Sequence, residues 1–192
     1  MTTDYPKEVI LKDGTGVTLR LLRKEDRDLL LKMFSRLSDD DRWFLDESLP
    51  DPESTEKTAE KKSPNKTISI IAVLEGRIIA DGTLVRRCHG AKSHVGKIRI
   101  SVDPDFREKH LATWMLLDLI NLAMAWELEI LIMRLVQDKD LSLIRSVKKM
   151  DFTEEAILRD YVKDREGNHH NLVIMIKRLH RVWNQVDHMI LK

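Results

Sequence analysis

The chain has 192 residues, 42% of them hydrophobic and 34% charged, with a formal net charge of +1. That length fits one domain with a real core, and the balanced charge argues against a broad nucleic-acid footprint. Cys88 is the lone cysteine, so no intrachain disulfide forms and a reducing, cytoplasmic setting is expected.

Val9-Ile10-Leu11 and Val17 to Leu22 flank Asp13-Gly14-Thr15-Gly16 and read as a hairpin. Leu29, Leu30, Met33, Phe34 and Leu37 recur at helical spacing, which predicts a helix from Lys24 to Arg36. Ser38-Asp39-Asp40-Asp41 is a cap for a second, short helix carrying Trp43 and Phe44. The polar stretch from Asp46 to Lys66, with Pro50, Pro52 and Pro64, is a long loop with at most one charged helical turn at Glu53 to Lys61. Strands are expected at Thr67 to Leu74, Arg77 to Arg86 and Lys97 to Val102, the first two joined by a turn at Glu75-Gly76. Lys109 to Trp126 predicts a helix apolar nearly all round, with Asp118 and Asn121 as a narrow polar strip, buried in the middle of the domain.

Ile130 to Val136 is a near-continuous apolar run of the kind that forms a strand buried on both faces. Leu141 to Lys149 predicts a short helix. Glu155 to Val162 and Asn171 to Leu179 form a terminal hairpin around Asp164-Arg165-Glu166-Gly167-Asn168, with His169-His170 as a solvated strand entry. Residues 1–179 make the domain, and 180–192 a tail read as a short amphipathic helix. The apolar run from Leu111 to Val136 is broken by Asp118, Asn121, Glu127, Glu129 and Arg134, so no membrane span is expected. The N-terminus has no apolar stretch of signal-peptide type. The order ββ-α-α-β-β-β-α-β-α-β-β predicts an α+β (mixed α/β) fold. Its sheet is mostly antiparallel and twisted, with helices on both faces and one βαβ unit.

The most informative stretch is Val102-Asp103-Pro104-Asp105-Phe106-Arg107-Glu108-Lys109-His110-Leu111-Ala112. A strand runs into a turn and then into a helix N-terminus, where unpaired N–H groups and the helix dipole favour a phosphate. Arg107-x-x-His110-x-Ala112 resembles motif A of the GNAT superfamily of N-acetyltransferases, Arg/Gln-x-x-Gly-x-Gly/Ala, with His110 in place of the first glycine. The element order matches that fold nearly to Leu179. The opening Leu19-Arg20-Leu21-Leu22-Arg23-Lys24-Glu25-Asp26 resembles the GNAT domains of bacterial protein-lysine acetyltransferases.

The resemblance implies acetyl transfer from acetyl-CoA to a primary amine, on a small molecule or a protein lysine, with no metal. It implies a pyrophosphate cradle formed by Arg107, Glu108, Lys109, His110, Leu111, Ala112 and Thr113. It also implies backbone contacts to the thioester from Ile100, Ser101 and Val102. A family pattern Asn-x-x-Ala-x-x-Leu-Tyr-x-x-x-Gly-Phe aligns with Asp140 to Phe152. Asp140 stands for the asparagine as a cofactor contact, Val147 for the tyrosine and Asp151 for the glycine. A lysine amine with a pKa of about 10.4 costs roughly 4.6 kcal/mol to deprotonate at pH 7. The strand before motif A offers Lys97 and Arg99 rather than a base. Candidate bases are Asp46, Glu47 and Asp140, and candidate donors Ser101 and Tyr161. The alternative is a catalytically degenerate domain that binds CoA as a sensor or interaction module, suggested by His110, Val147 and Asp151 together. Family members pair through terminal strands or helices, so a homodimer is a further implication.

Overall fold

The computed structural model describes residues 5–45 and 65–179. The candidate residues Asp46 and Glu47, most of the long loop and the tail 180–192 lie outside these. The elements are β1 Lys7–Ile10, β2 Gly16–Leu21, α1 Arg27–Ser35, α2 Asp39–Trp43, β3 Asn65–Leu74, β4 Arg77–Arg87, β5 Val95–Val102, α3 Leu111–Ala125, β6 Ile130–Val136, α4 Leu141–Lys148, β7 Thr153–Lys163 and β8 His169–Arg178. They build one mixed α/β sheet in the order β1-β2-β3-β4-β5-β6-β8-β7, antiparallel throughout except where β5 meets β6. No helix among the described residues is long and apolar enough to cross a membrane.

Strand alternation sends neighbouring residues to opposite faces. Ile70 and Ala72 join the core under α3, while Ile71 between them joins α1 through Leu30, Met33 and Phe34. Helices therefore cover both faces. Gly82, at the centre of β4, lets α3 approach closely, since a Cβ there would meet Leu119 Cδ1 and Met115 Cε at 3.2 Å. The outer side of α3 carries exposed Trp114, Leu117 and Met124, so this helix is a surface layer rather than the enclosed centre that its composition predicts. Asp118, read as part of a polar strip, is instead buried and receives the Tyr5 hydroxyl at 3.1 Å and the Lys7 ammonium. The predicted helix from Lys24 begins with a 3-10 turn, and its α-helical part starts at Arg27.

Asp103 follows the last residue of β5 and fixes the direction of the turn there. It is 1% exposed. It accepts from Arg36 Nε at 2.5 Å, Arg77 Nη2 at 3.1 Å and the Asp105 N–H at 3.2 Å, tying α1 and β4 to the turn before α3. Burial pushes its carboxyl up, but these donors together outweigh burial and hold it below the ordinary carboxylate range. A depressed folded pKa gives stability that is present above the unfolded value and lost as pH falls. Asp103→Ala is expected to cost about 2 kcal/mol at neutral pH, less than a fully buried pair because the two arginines regain water. The loss should shrink on acidification, as urea melts across pH 3 to 7 would show.

Candidate active site

The site begins where the sheet opens. β5 and β6 pair in parallel only at Val95↔Ile130, Gly96↔Leu131 and Lys97↔Ile132. Beyond that, β5 stays with β4 up to Val102, and β6 stays with β8 up to Val136. The two strands thus diverge, and the facing edges of Ile98 to Val102 and Met133 to Val136 leave the ladder. Apart from those of Val136, held by Asp140, and the Val102 carbonyl, which accepts from Arg107 Nε at 3.3 Å, the backbone polar groups of these edges are open to a guest, because such groups rarely stay unpaired in a native state. A cleft of about 800 Å³ fills this V and is lined by both edges. That is within the range of ligand pockets, roughly 300–1,000 Å³.

The mouth of the V is the turn into α3. The Asp103 side chain caps a 3-10 turn at Pro104–Phe106, and Arg107 follows in extended conformation. Glu108 and His110 then take left-handed backbone angles, with φ of 60° and 67°. A left-handed residue cannot continue a right-handed helix, so α3 starts at Leu111 instead of the predicted Lys109. The first bond of its ladder runs from the Trp114 N–H to the His110 carbonyl at 3.2 Å. The N–H groups of Leu111, Ala112 and Thr113 precede the ladder, and all three residues line the cleft.

His110 holds the dihedral that a glycine takes without strain, and Asp151, at the other altered glycine position, does the same with φ of 61°. The backbone shape is kept and the strain is accepted. His110→Gly is expected to stabilise by about 0.5 kcal/mol, the left-handed cost relieved less the added chain entropy. Urea unfolding would check it.

The remaining sequence candidates separate. Ile100, Ser101, Val102, Arg107, Glu108, His110 and Asp140 line the cleft with the three N–H donors. Lys109 turns away to Asp13 at 3.0 Å and the Phe106 ring, so it does not line the cleft. Tyr161 sits on the edge strand β7, 65% exposed and away from the cleft. Asp140 accepts the Val136 N–H at 2.7 Å and closes the turn between β6 and α4. Burial raises its pKa. Val147 is fully enclosed in the core under α3, and α4 presents Ser142, Leu143 and Ser146 to the cleft instead.

The sequence reading missed how α2 encloses the mouth. Ser38 and Asp41 form the capping box expected from their spacing. The three aspartates also reach outward to three separate loops: Asp39 to Arg165 at 2.6 Å, Asp40 to Lys139 at 3.0 Å and Asp41 to Arg107 at 2.7 Å. Arg107 and Lys139, on two of those loops, both line the cleft. His170, read as a solvated strand entry, is instead clamped between Asp138 at 2.8 Å and Asp164 at 3.0 Å, with its ring edge-on to Phe44. The bond to Asp164, then that to Asp138, raises its pKa. Asp81 and Thr83 on β4 were also missed, and so was their place beside Arg99 and Ser101 on β5. Their signal is polar residues recurring at period two in otherwise apolar strands.

Comparison with known proteins agrees with this geometry. The sequence profile of the Acetyltransferase (GNAT) family matches residues 31–152. No curated protein matches the chain. Among solved structures, an acetyltransferase of the GNAT family from Streptococcus pneumoniae aligns with TM-score 0.69 at 18% identity, covering 85% of this chain and 99% of that one. The GNAT domain of S. lividans PAT aligns with TM-score 0.70 at 13% identity, covering 93% and 99%. A putative acetyltransferase from Salmonella typhimurium, solved with its cofactor acetyl-CoA, aligns with TM-score 0.68 at 16% identity, covering 86% and 95%. At these identities the likeness is one of fold.

Proposed function

Since this chain belongs to the acetyltransferase (GNAT) family, we propose that it transfers an acetyl group from acetyl-CoA to a primary amine. The observation that carries this reading is the V between β5 and β6, with the free N–H groups of α3 at its mouth. The residues present suit the cosubstrate. The N–H groups of Leu111, Ala112 and Thr113 hold the diphosphate, helped by the helix dipole, and Arg107 and Lys139 add charge once they leave Asp41 and Asp40. The open edge at Ile100, Ser101 and Val102 supplies backbone groups to the pantetheine amides and the thioester oxygen. The retained left-handed angles at His110 and Asp151 support a working cradle over a degenerate one.

Acetyl-CoA supplies the acetyl group as a thioester; it passes to the amine nitrogen, and the thiol departs. A thiol of pKa about 8.5 leaves without a dedicated acid near neutrality, which removes the need for a tyrosine at Val147. Isothermal titration with CoA and acetyl-CoA, followed by thiol release over a panel of amines, tests the reading. Micromolar binding with turnover of any amine supports it, and no binding of either ligand overturns it.

A further inference from the structure

Of the four buried side-chain polar atoms that lack a hydrogen-bond partner among the described residues, Arg86 Nε stands apart and three belong to neighbouring positions: Asp81 Oδ1, Arg99 Nε and Ser101 Oγ. Asp81 stands directly opposite Ser101 in the β4–β5 ladder, and Thr83 stands opposite Arg99. Residues two apart share a face. All four side chains therefore project to one side, where Arg99 Nη2 lies 3.3 Å from Asp81 Oδ2 and the Thr83 hydroxyl donates to the same oxygen at 3.3 Å. Thr83, Arg99 and Ser101 line the cleft, and Asp81 lies behind them with no exposed surface.

Leaving a buried polar atom unsatisfied costs about 1–3 kcal/mol. Three such atoms from adjoining positions on one face of the sheet, an acceptor, a donor and a hydroxyl, are the partners a buried water takes, since it uses two to four polar groups. The arrangement is also placed for chemistry. It lies on β5 beside the open backbone edge, on the α1 side of the sheet, with a hydroxyl on each flank leading from the cleft to Asp81.

We infer that Asp81, Arg99 and Ser101 hold a water at the cleft floor, and that Asp81 receives through it, and through the Thr83 hydroxyl, the proton that the acceptor amine must lose. The inference rests on the acetyltransferase reading above. An N–H bond of the ammonium breaks, and its electron pair stays on nitrogen. The proton passes to the water, which hands one of its own to Asp81 Oδ1. The carboxyl later returns that proton to solvent by the same path, and the second N–H proton departs with the thiol. Asp81 is thus a proton-holding, positioning residue that acts through its neighbours.

Its environment suits the task. Burial pushes the Asp81 carboxyl up to about 6, against the pull of the Arg99 guanidinium and the Thr83 hydroxyl. A group so poised is ionised at neutral pH and basic enough to accept a proton. Arg99 is the charged group facing it from β5. On β3, Ser69 bonds to Thr83, and Ile71 stands opposite Asp81. α1 brings the apolar Leu30, Met33 and Phe34 to this side of the sheet.

The test uses the full chain. Carboxyl NMR with labelled aspartate should show one resonance, missing in Asp81→Asn, that titrates near pH 6. Thiol release from acetyl-CoA is then followed with two probes, n-butylamine, protonated at neutral pH, and hydroxylamine, already neutral. Asp81→Asn should lower kcat for butylamine about 100-fold while hydroxylamine changes by no more than about threefold. KM for acetyl-CoA should hold, and Asp81→Glu should restore part of the rate. Ser101→Ala, which keeps the carboxylate, should lose about tenfold with butylamine alone. Equal losses with both probes would mark a structural role and overturn the inference. Where acetyl-CoA binds but neither probe is acetylated, a shift of the Asp81 midpoint on adding butylamine supports the inference, and an unmoved or absent midpoint overturns it. Failure of acetyl-CoA to bind overturns the acetyltransferase reading itself, and the inference with it.

Discussion

Ala112→Glu is expected to weaken CoA binding by at least about 100-fold, equivalent to roughly 2.7 kcal/mol, without lowering thermal stability. Ala112 lies in the first turn of α3, its N–H precedes the helix ladder, and it lines the cleft. A carboxylate there faces the diphosphate that the N–H groups are proposed to hold. Two like charges about 5 Å apart at an effective dielectric near 20 repel by roughly 3 kcal/mol. The same carboxylate is favourable to the helix itself, because acids in the first turn gain about 0.3–1 kcal/mol from the dipole. Affinity and stability should therefore move in opposite directions. Calorimetric titration with CoA and a thermal melt of the same sample check this, and unchanged affinity would place the phosphates elsewhere.

Much of this site was legible where local chemistry decides the structure. β6 is an apolar run broken only by Arg134, and its observed bounds, Ile130–Val136, are those read from the sequence. Ser38 with Asp41 announced a capped helix, because the motif satisfies its own backbone donors. The turn into α3 was visible as a strand, a proline and an apolar helix. What stayed hidden depends on pairings far apart in the chain. The V exists because β5 keeps its bonds to β4 while β6 keeps its bonds to β8, and no local pattern records that choice. Lys109 and Lys139 look alike in sequence, yet only Lys139 lines the cleft, because the left-handed turn at His110 leaves Lys109 against Asp13. The carboxylates of α2 read only as a helix cap and turned out to span three loops. Asp81 went unremarked because a lone aspartate in an apolar strand shows its environment only once the neighbouring strand is in register.

Leu119→Ala should have the largest effect on stability and the least on the site. Leu119 is fully buried and faces Gly82, so α3 rests on the sheet through it. Truncating a buried leucine costs about 2–5 kcal/mol. A central value of about 3 lowers Tm by roughly 6–12 °C in a chain of this size. The cleft edge of α3 lies two turns away, about 10 Å along the helix, far enough for the two terms to add within about 0.5 kcal/mol. CoA at 100 times its dissociation constant should return about 2.7 kcal/mol by mass action. It should do so equally in the parent and in Leu119→Ala. The double variant with Ala112→Glu should melt no lower than Leu119→Ala alone and gain no more than about 0.4 kcal/mol from the ligand. If CoA failed to stabilise Leu119→Ala, the start of α3 would depend on the core packing beneath it, and binding and folding would be one transition rather than two additive terms.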